Sequence, residues 1–253
     1  MAERIIIPTP MHKKVIGIFE RNANSQRVVI IVHGYDSSKE GTSAKQISSA
    51  LAQKNIATFR IDLPGCGESD GEFKDKTISE DVIAISGAIE EMKKRQFSEI
   101  CLFGNSMGGL ASMVTSLKHP ELHKLALKAP VSDLPEQAEM GMHSTGDVYD
   151  IAAFKRRGFT RITHKDGSEM ILHYPIFEDS QKYIMYDIVS KISVPTLVVH
   201  GTADEIVDVQ FTKNLMKKFD EGSCILLDGA NHGLEINGDA SESITIFTQW
   251  LTK

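Results

Sequence analysis

The chain has 253 residues, 41% of them hydrophobic, which is enough for one large domain with a sizeable core. Its formal net charge is −6 at neutral pH. This balance argues against binding to nucleic acid or to an anionic membrane surface.

The three cysteines, Cys66, Cys101 and Cys224, are odd in number and lack the spacing of a metal site. This usage favours a reducing environment, so we expect a cytoplasmic protein. The N-terminal sequence MAERIIIPTP has too short an apolar run for a signal peptide, and no stretch approaches the length of a membrane span. We therefore expect no membrane partner.

Predicted strands and helices alternate along the chain. The run RVVIIV at 27–32 is rich in β-branched residues, as in a central strand buried on both faces. Thr77 and Glu80 have the spacing of a capping box, which predicts a helix from residue 78 to about 92. The other predicted strands are 4–7, 14–20, 57–61, 100–103, 124–128, 196–200 and 223–227, and the other predicted helices are 43–54, 110–117, 208–218 and 244–253. This alternation predicts an α/β fold, with a mostly parallel sheet and helices on both faces.

Residues 133–193 interrupt this alternation. Within them, 159–172 is typical of a β-hairpin that turns at Lys165-Asp166-Gly167, and 177–192 is typical of an amphipathic helix. An insertion after the carboxyl end of a strand lies over the edge where open α/β sheets bind ligands, so we interpret the segment as a cap. The alternative is a surface insertion without a function. The predicted organisation is a single domain, 1–253, with an inserted cap at 133–193.

The pattern G-x-S-x-G occurs in Gly104-Asn105-Ser106-Met107-Gly108, between a predicted strand and a predicted helix. A serine in that context lies on a sharp turn that raises its hydroxyl above the sheet, so Ser106 is the candidate nucleophile. The pattern alone is weak, because it also fits a glycine-rich turn. The backbone N–H of Met107, at the start of the helix, would face the carbonyl oxygen of a bound substrate.

A serine hydroxyl needs a base, and the base needs an acid that orients it. Asp204 follows the predicted strand 196–200 in the sequence HGTAD, and His232 follows the strand 223–227 in GANHG. The chain order serine, aspartate, histidine is known for this arrangement. Glu205 and Asp208 are rivals for the acid, although Asp208 is also predicted to cap the next helix.

Two other histidines lie near these motifs. His33 belongs to an HG turn and is predicted to hold that loop by hydrogen bonds, and His200 ends a strand and is predicted to be structural. We predict neither a metal nor a cofactor. Gly65 and Gly67 follow a strand, but no helix begins there, which argues against a dinucleotide site.

Together the motifs resemble those of α/β-hydrolases: HG after a strand, D-x-x-G-x-G-x-S, G-x-S-x-G, HG-x-x-D and G-x-x-H, in that order. The resemblance covers essentially the whole chain. The sequence is most similar to capped serine esterases, which include cinnamoyl and feruloyl esterases, and to hydrolases that resemble serine aminopeptidases and monoacylglycerol lipases. Cys66 departs from the esterase pattern, in which a histidine is usual at that position.

This resemblance implies an α/β-hydrolase fold with a Ser-His-Asp triad, in which Ser106 is the nucleophile, His232 the base and Asp204 the orienting acid. It also implies that the backbone N–H groups of Tyr35 and Met107 bind the oxyanion, since Tyr35 follows HG as in the family.

The expected function is therefore hydrolysis of small-molecule carboxylic esters with small to medium acyl or aryl groups, by a monomer or homodimer. An aminopeptidase or a thioesterase of the same fold is the first alternative. An aminopeptidase needs acidic groups that hold the substrate amine, and the candidates are Glu136, Glu139, Asp147 and Asp150, which equally suit a solvated helix face. A binding protein without catalysis is a further alternative.

Overall fold

The structure is a computed structural model that describes residues 2–10, 13–22, 25–140, 151–163 and 169–253. Within these ranges the main sheet has eight strands in the order β1-β2-β4-β3-β5-β6-β9-β10. Its strands are β1 (Ala2–Pro8), β2 (Lys14–Glu20), β3 (Arg27–Val32), β4 (Ala57–Ile61), β5 (Glu99–Asn105), β6 (Lys124–Lys128), β9 (Thr196–Gly201) and β10 (Gly222–Leu227), and β7 (Phe159–Thr163) with β8 (Glu169–His173) forms a separate hairpin.

The helices alternate with these strands, as predicted. They are α1 (Thr42–Ala52), α2 (Ile78–Lys94), α3 (Met107–Lys118), α4 (Leu134–Met140), α5 (Ile151–Arg157), α6 (Pro175–Ser180), α7 (Met185–Ile188), α8 (Val209–Met216) and α9 (Ser241–Thr252), with 3-10 turns at Phe73–Asp75 and Val189–Lys191. Strand β2 pairs antiparallel with β1 and β4, whereas β4, β3, β5, β6, β9 and β10 pair in parallel. The carboxyl ends of these six strands therefore lie along one edge of the sheet.

The sheet is covered on both faces, which confirms the predicted architecture. Every residue of β3 is buried. Val28 and Ile30 pack into the core that contains α2 and α3, and Val29 and Ile31 pack into the core that contains α1 and α9. This division follows from the alternation of side chains along a strand, so a continuous apolar run suits a strand with helices on both sides.

The D-x-x-G-x-G-x-S motif forms a loop around the buried carboxylate of Asp62. This carboxylate accepts hydrogen bonds from the backbone N–H of Lys39 at 2.7 Å, from Lys39 Nζ at 2.7 Å and from the backbone N–H of Glu68 at 2.8 Å. Gly67 has a φ of +55°, and a Cβ added there would lie 2.2 Å from Asp62 Oδ2. The motif thus fastens the loop after β4 to the loop after β3.

One local prediction is wrong and another is confirmed only in part. The amphipathic helix expected at 177–192 is divided into α6, α7 and a 3-10 turn, and Ile184 has an extended backbone with a ψ of 101°. The chain breaks there because the backbone N–H of Met185 donates to Ser132 O, a contact outside the helix. The capping box is half formed: Thr77 Oγ1 accepts from the N–H of Glu80, but the Glu80 carboxylate binds Lys13 Nζ at 2.6 Å.

The predicted hairpin strands are confirmed, since β7 and β8 pair antiparallel from Phe159–His173 to Thr163–Glu169. The predicted turn at Lys165-Asp166-Gly167 lies outside the described residues.

Candidate active site

Ser106 lies at the carboxyl end of β5, immediately before α3. Its φ of 54° and ψ of −119° are strained for a residue with a side chain. The turn is tight because the helix packs closely on the neighbouring loop: a Cβ on Gly108 would lie 2.2 Å from the carbonyl oxygen of His33. The Ser106 N–H donates to Lys128 O at 2.8 Å. The strand, sharp turn and helix predicted around Ser106 are therefore present.

Asp204 follows β9, and its side chain has no exposed surface. Oδ1 accepts the backbone N–H groups of Ile206 and Val207 at 2.8 and 2.9 Å, and Oδ2 lies 2.8 Å from His232 Nδ1. Burial by itself raises the pKa of Asp204, but hydrogen bonds from His200 and His232 outweigh burial and hold this pKa well below its ordinary value. The carboxylate is therefore ionised at neutral pH.

His232 lies in the loop after β10, and this loop packs tightly on the end of β9. The N–H of Ala203 donates to Ala230 O at 3.0 Å, and a Cβ on Gly201 would lie 2.1 Å from the same oxygen. The absence of a side chain at Gly201 therefore lets the loop approach closely enough for the His232 ring to reach Asp204.

The two rival acids have other contacts. Asp208 caps α8, because its Oδ1 accepts the N–H of Gln210 at 2.8 Å, as predicted. Glu205 Oε2 accepts the backbone N–H of His232 at 3.3 Å and so contacts the backbone of the loop. Of the three candidates, Asp204 is the carboxylate that hydrogen-bonds the imidazole.

The HG turn after β3 lies against Ser106. A Cβ on Gly34 would be 3.2 Å from Ser106 Cβ, so the following residue, Tyr35, is adjacent to the turn that carries the serine. His33 Nε2 accepts the N–H of Leu63 at 3.0 Å, so Nδ1 carries the proton and donates to Gly34 O at 2.7 Å. Burial lowers the pKa of His33 to about 4 and keeps the ring neutral. The prediction that His33 holds this loop by hydrogen bonds is confirmed.

Met107 is the first residue of α3, where backbone N–H groups have no acceptor within the helix. The N–H of Met107 and the loop of Tyr35 are thus both adjacent to Ser106. No hydrogen bond joins Ser106 Oγ to His232 among the residues that the structure describes. Such bonds are often long before a substrate is bound.

One contact of the site was not predicted from the sequence. His200 is fully buried, and its Nε2 lies 3.0 Å from Asp204 Oδ2, the oxygen that also binds His232. The four-residue spacing of His200 and Asp204 in HGTAD was the available signal, because Gly201 ends β9 between them and turns the chain back.

A family model described as serine aminopeptidase, S33, matches residues 23–175, which is more than half of the chain. The chain belongs to this family. The S33 family match includes Ser106 but ends before Asp204 and His232.

Relatives of this S33 family member include several hydrolases. Mouse mitochondrial palmitoyl-protein thioesterase ABHD10 is 23% identical over 194 residues, which covers 72% of this chain and 60% of the mouse protein. The chain thus spans less than two thirds of that relative. Bovine monoacylglycerol lipase ABHD6 is 22% identical over 241 residues, covering 81% of this chain and 70% of the lipase.

The structural comparison gives the fold. Est1E from Butyrivibrio proteoclasticus with bound ferulic acid has a TM-score of 0.81 and 23% identity, covering 98% of this chain and 96% of that chain. The S33 family member thus has an α/β-hydrolase fold, as the resemblance implied. None of the helices in the described residues combines the length and apolar character needed to cross a membrane.

One group of possible metal ligands occurs within the described ranges: Glu90, His119 and Glu121. Lys93 Nζ already binds both carboxylates at 2.7 Å. Since α3 runs back from the carboxyl edge, His119 at its end lies at the opposite edge of the sheet from Ser106. This group is therefore separate from the candidate active site of the S33 family member.

Lys128, beside the candidate site at the end of β6, is a buried cation. Its side chain is 6% exposed, and Nζ donates to Ser43 Oγ at 2.7 Å. Burial lowers the pKa of Lys128 to about 8, although Glu235 and Asp204 act in the opposite direction. The folded protein therefore pays a desolvation cost to keep this lysine charged at neutral pH.

We expect Lys128→Met to raise the free energy of unfolding at neutral pH. An unfolded lysine titrates near 10.5 and the folded one near 8, so the unfolded state binds more protons between these values and wild-type stability rises with pH there. The variant should lack this rise and be about 1–3 kcal/mol more stable at neutral pH. Urea denaturation across this pH range measures both effects, with the exposed Lys118→Met as control. If the free energy of unfolding of the wild-type protein does not increase as the pH is raised beyond about 8, the proposed cost of burying the charge is wrong.

Proposed function

We propose that the protein is a serine hydrolase of carboxylic esters with small to medium acyl or aryl groups. In this proposal Ser106 is the nucleophile, His232 the base and Asp204 the orienting acid. The observation that carries it is the 2.8 Å hydrogen bond between His232 Nδ1 and the buried carboxylate of Asp204, on the sheet edge where Ser106 occupies a strained turn.

The proposed mechanism follows from the positions of the protons. Asp204 accepts a hydrogen bond from the protonated Nδ1 of His232. The lone pair of Nε2 is then available to take the hydroxyl proton of Ser106. The serine oxygen attacks the ester carbonyl and forms a tetrahedral intermediate. Its oxyanion accepts hydrogen bonds from the backbone N–H groups of Tyr35 and Met107, which are worth a few kcal/mol each in such sites.

The intermediate collapses when His232 Nε2–H donates its proton to the departing alcohol. The acyl group is then esterified to Ser106. A water molecule, deprotonated by His232, attacks this acyl-enzyme through a second tetrahedral intermediate and releases the carboxylic acid. Serine and histidine thus return to their starting protonation states, and the reaction requires no metal or cofactor.

A thioester substrate is the second candidate. The observation that favours it is the similarity to a mouse protein named palmitoyl-protein thioesterase. The same residues would act in the same order, with a thiolate as the leaving group. The aminopeptidase alternative rests on acidic residues of the segment 133–193, of which Asp147 and Asp150 lie outside the described residues.

A substrate panel separates these candidates. p-Nitrophenyl esters from acetate to octanoate, acyl thioesters of matched chain length and aminoacyl amides are compared by kcat/KM, with Ser106→Ala as the blank. We expect esters to exceed thioesters and amides by about tenfold or more. Faster turnover of thioesters would favour the second candidate, and turnover of aminoacyl amides alone would contradict ester hydrolysis.

We also propose that residues 133–193 form a cap that selects the substrate. Two described contacts support this: Asp179 binds the N–H and the hydroxyl of Ser79 at 2.7 and 2.6 Å, and His173 Nδ1 lies 2.8 Å from Asp75 Oδ1. These contacts fasten the segment to the start of α2 and to the 3-10 turn before it. The segment also contains the apolar residues Met142 and Tyr149, which lie outside the described residues.

Replacing residues 133–193 by a short Gly/Ser linker should change the ranking of esters by acyl length. Small activated esters should still react, because Ser106, Asp204 and His232 lie outside the segment. The measurement is kcat/KM for the same ester series, with circular dichroism to verify folding. A folded protein without the segment that keeps the wild-type ranking would show that the cap does not set specificity.

A further inference from the structure

One carboxylate oxygen of Asp204 binds two imidazoles. Oδ2 lies 2.8 Å from His232 Nδ1 and 3.0 Å from His200 Nε2, while Oδ1 is occupied by two backbone N–H groups. The second imidazole comes from β9, on the side of Asp204 away from solvent, and its side chain has no exposed surface. The acid of the proposed triad is therefore held by two histidines, of which the described mechanism uses one.

The contacts of His200 define which ring nitrogen carries the proton. Nε2 faces two acceptors, Asp204 Oδ2 at 3.0 Å and the carbonyl oxygen of Val207 at 2.9 Å, so Nε2 must be protonated. Nδ1 lies 2.7 Å from Thr212 Oγ1 on α8, and this hydroxyl can donate to it. His200 is thus fixed between β9 and α8, with its Nε2–H donating to Val207 O and with Nε2 3.0 Å from the carboxylate of Asp204.

An N–H group whose nitrogen lies 3.0 Å from Oδ2 has an electrostatic consequence for Asp204 and, through it, for His232. It stabilises the negative charge of Asp204, and its positive end opposes the positive charge that His232 acquires as a base. A carboxylate that binds only one imidazole stabilises the protonated form of that ring more strongly, so the ring is a stronger base. Sharing the oxygen with His200 weakens this effect.

We propose, on the basis of the proposed function, that His200 is a positioning residue that fixes the Asp204 carboxylate and weakens the basicity of His232. As a consequence, His232 remains neutral, and able to accept the Ser106 proton, at a lower pH than it would if Asp204 contacted no second imidazole. His200 does not touch the reacting atoms; it acts through Asp204.

The other charged groups around this pair do not take the place of His200. Glu205 contacts the backbone nitrogen of His232 at 3.3 Å, and its charge favours a protonated ring. Lys128 interacts electrostatically with Asp204 and with Glu235, and its charge disfavours a protonated ring. Within the described part of the chain, the side chains that lie within ion-pair distance of Asp204 Oδ2 are the two histidines.

Two amide substitutions form a matched pair for a test. In His200→Gln the amide nitrogen reaches about where Nε2 lies and can still donate to Asp204. In His200→Asn the shorter side chain ends near the position of Nδ1 and cannot. Both replace a buried imidazole by an amide, so a loss of stability alone would affect both. Thr212→Val serves as a further control, since it removes the Nδ1 partner and leaves the contact with Asp204.

The readouts are the acidic limb of kcat/KM against pH and the NMR titration of the ¹⁵N-labelled histidine rings, with His232→Ala for assignment. We expect His200→Asn to move the acidic limb and the His232 titration midpoint upward by about one pH unit. His200→Gln and Thr212→Val should stay closer to wild type. If His200→Asn lowers the melting temperature but leaves both midpoints unchanged, the positioning role is refuted.

A measurement on the wild-type protein keeps the proposal testable even when a variant does not fold. The ring spectrum should show His200 with its proton on Nε2, and this signal should shift at the same pH as that of His232, because the two share an oxygen. A proton on Nδ1 of His200, or a signal indifferent to the His232 titration, would overturn the proposal. The NMR results do not depend on turnover, so a protein that hydrolyses no ester would refute the proposed function and leave this inference to be judged separately.

Discussion

Ser106→Ala is expected to reduce kcat by about 10⁴- to 10⁶-fold, because serine and base act as one unit in such sites. The fold should be retained. The side chain of Ser106 makes no hydrogen bond within the described residues, and its backbone bonds to Lys128, Gly109 and Val131 do not need the hydroxyl. The measurement is steady-state hydrolysis of a p-nitrophenyl ester together with the melting temperature.

The matched control is Ser116→Ala in α3, the helix that follows Ser106. Ser116 is buried and its hydroxyl donates to Met113 O at 2.7 Å, so its removal costs some stability and should leave kcat near the wild-type value. A Ser106→Ala protein that retains activity within tenfold of wild type would show that Ser106 is not the nucleophile.

Asp204→Asn is expected to lower kcat by about 10³- to 10⁴-fold. The oxygen at the Oδ1 position must stay an acceptor, because two backbone N–H groups donate to it. The amide nitrogen therefore takes the place of Oδ2 and donates to His232 Nδ1. This forces the proton of the neutral ring onto Nε2, where no lone pair remains for the Ser106 proton. The same nitrogen would also lie about 3.0 Å from Nε2 of His200, so two N–H groups would be placed side by side.

Asp208→Asn is the control for this variant. Its side-chain oxygen can still accept the N–H of Gln210, so the cap of α8 should persist and kcat should change little. Both variants remove one negative charge from the same loop. A greater loss of kcat in Asp208→Asn than in Asp204→Asn would mean that the wrong carboxylate has been assigned.

The layout of the sheet was predictable because its strands carry a local signal. The β-branched run of β3 specifies a strand buried on both faces, and the structure has the predicted bounds for it. Loops that follow parallel strands share one edge, so Ser106, Asp204 and His232 were expected there together. Of these three residues, His232 and Asp204 are joined by a hydrogen bond in the structure.

The features that the sequence did not reveal depend on contacts between distant residues. Lys13 draws the Glu80 carboxylate away from the capping box, although the two are 67 positions apart. Ser132 breaks the predicted helix by accepting the N–H of Met185. The second imidazole on Asp204 required knowing that Gly201 ends β9 and lets the chain turn back within four residues. Periodicity and propensity contain no information on such partners.

The central claim, that Ser106 forms a covalent intermediate with the help of His232, is tested most directly by mass spectrometry after reaction with an alkyl fluorophosphonate. The account predicts one adduct per chain, located by peptide mapping on Ser106. The adduct should be absent from Ser106→Ala and should form much more slowly in His232→Ala. An adduct on another residue, or a wild-type protein that hydrolyses esters without being labelled or inhibited, would contradict it.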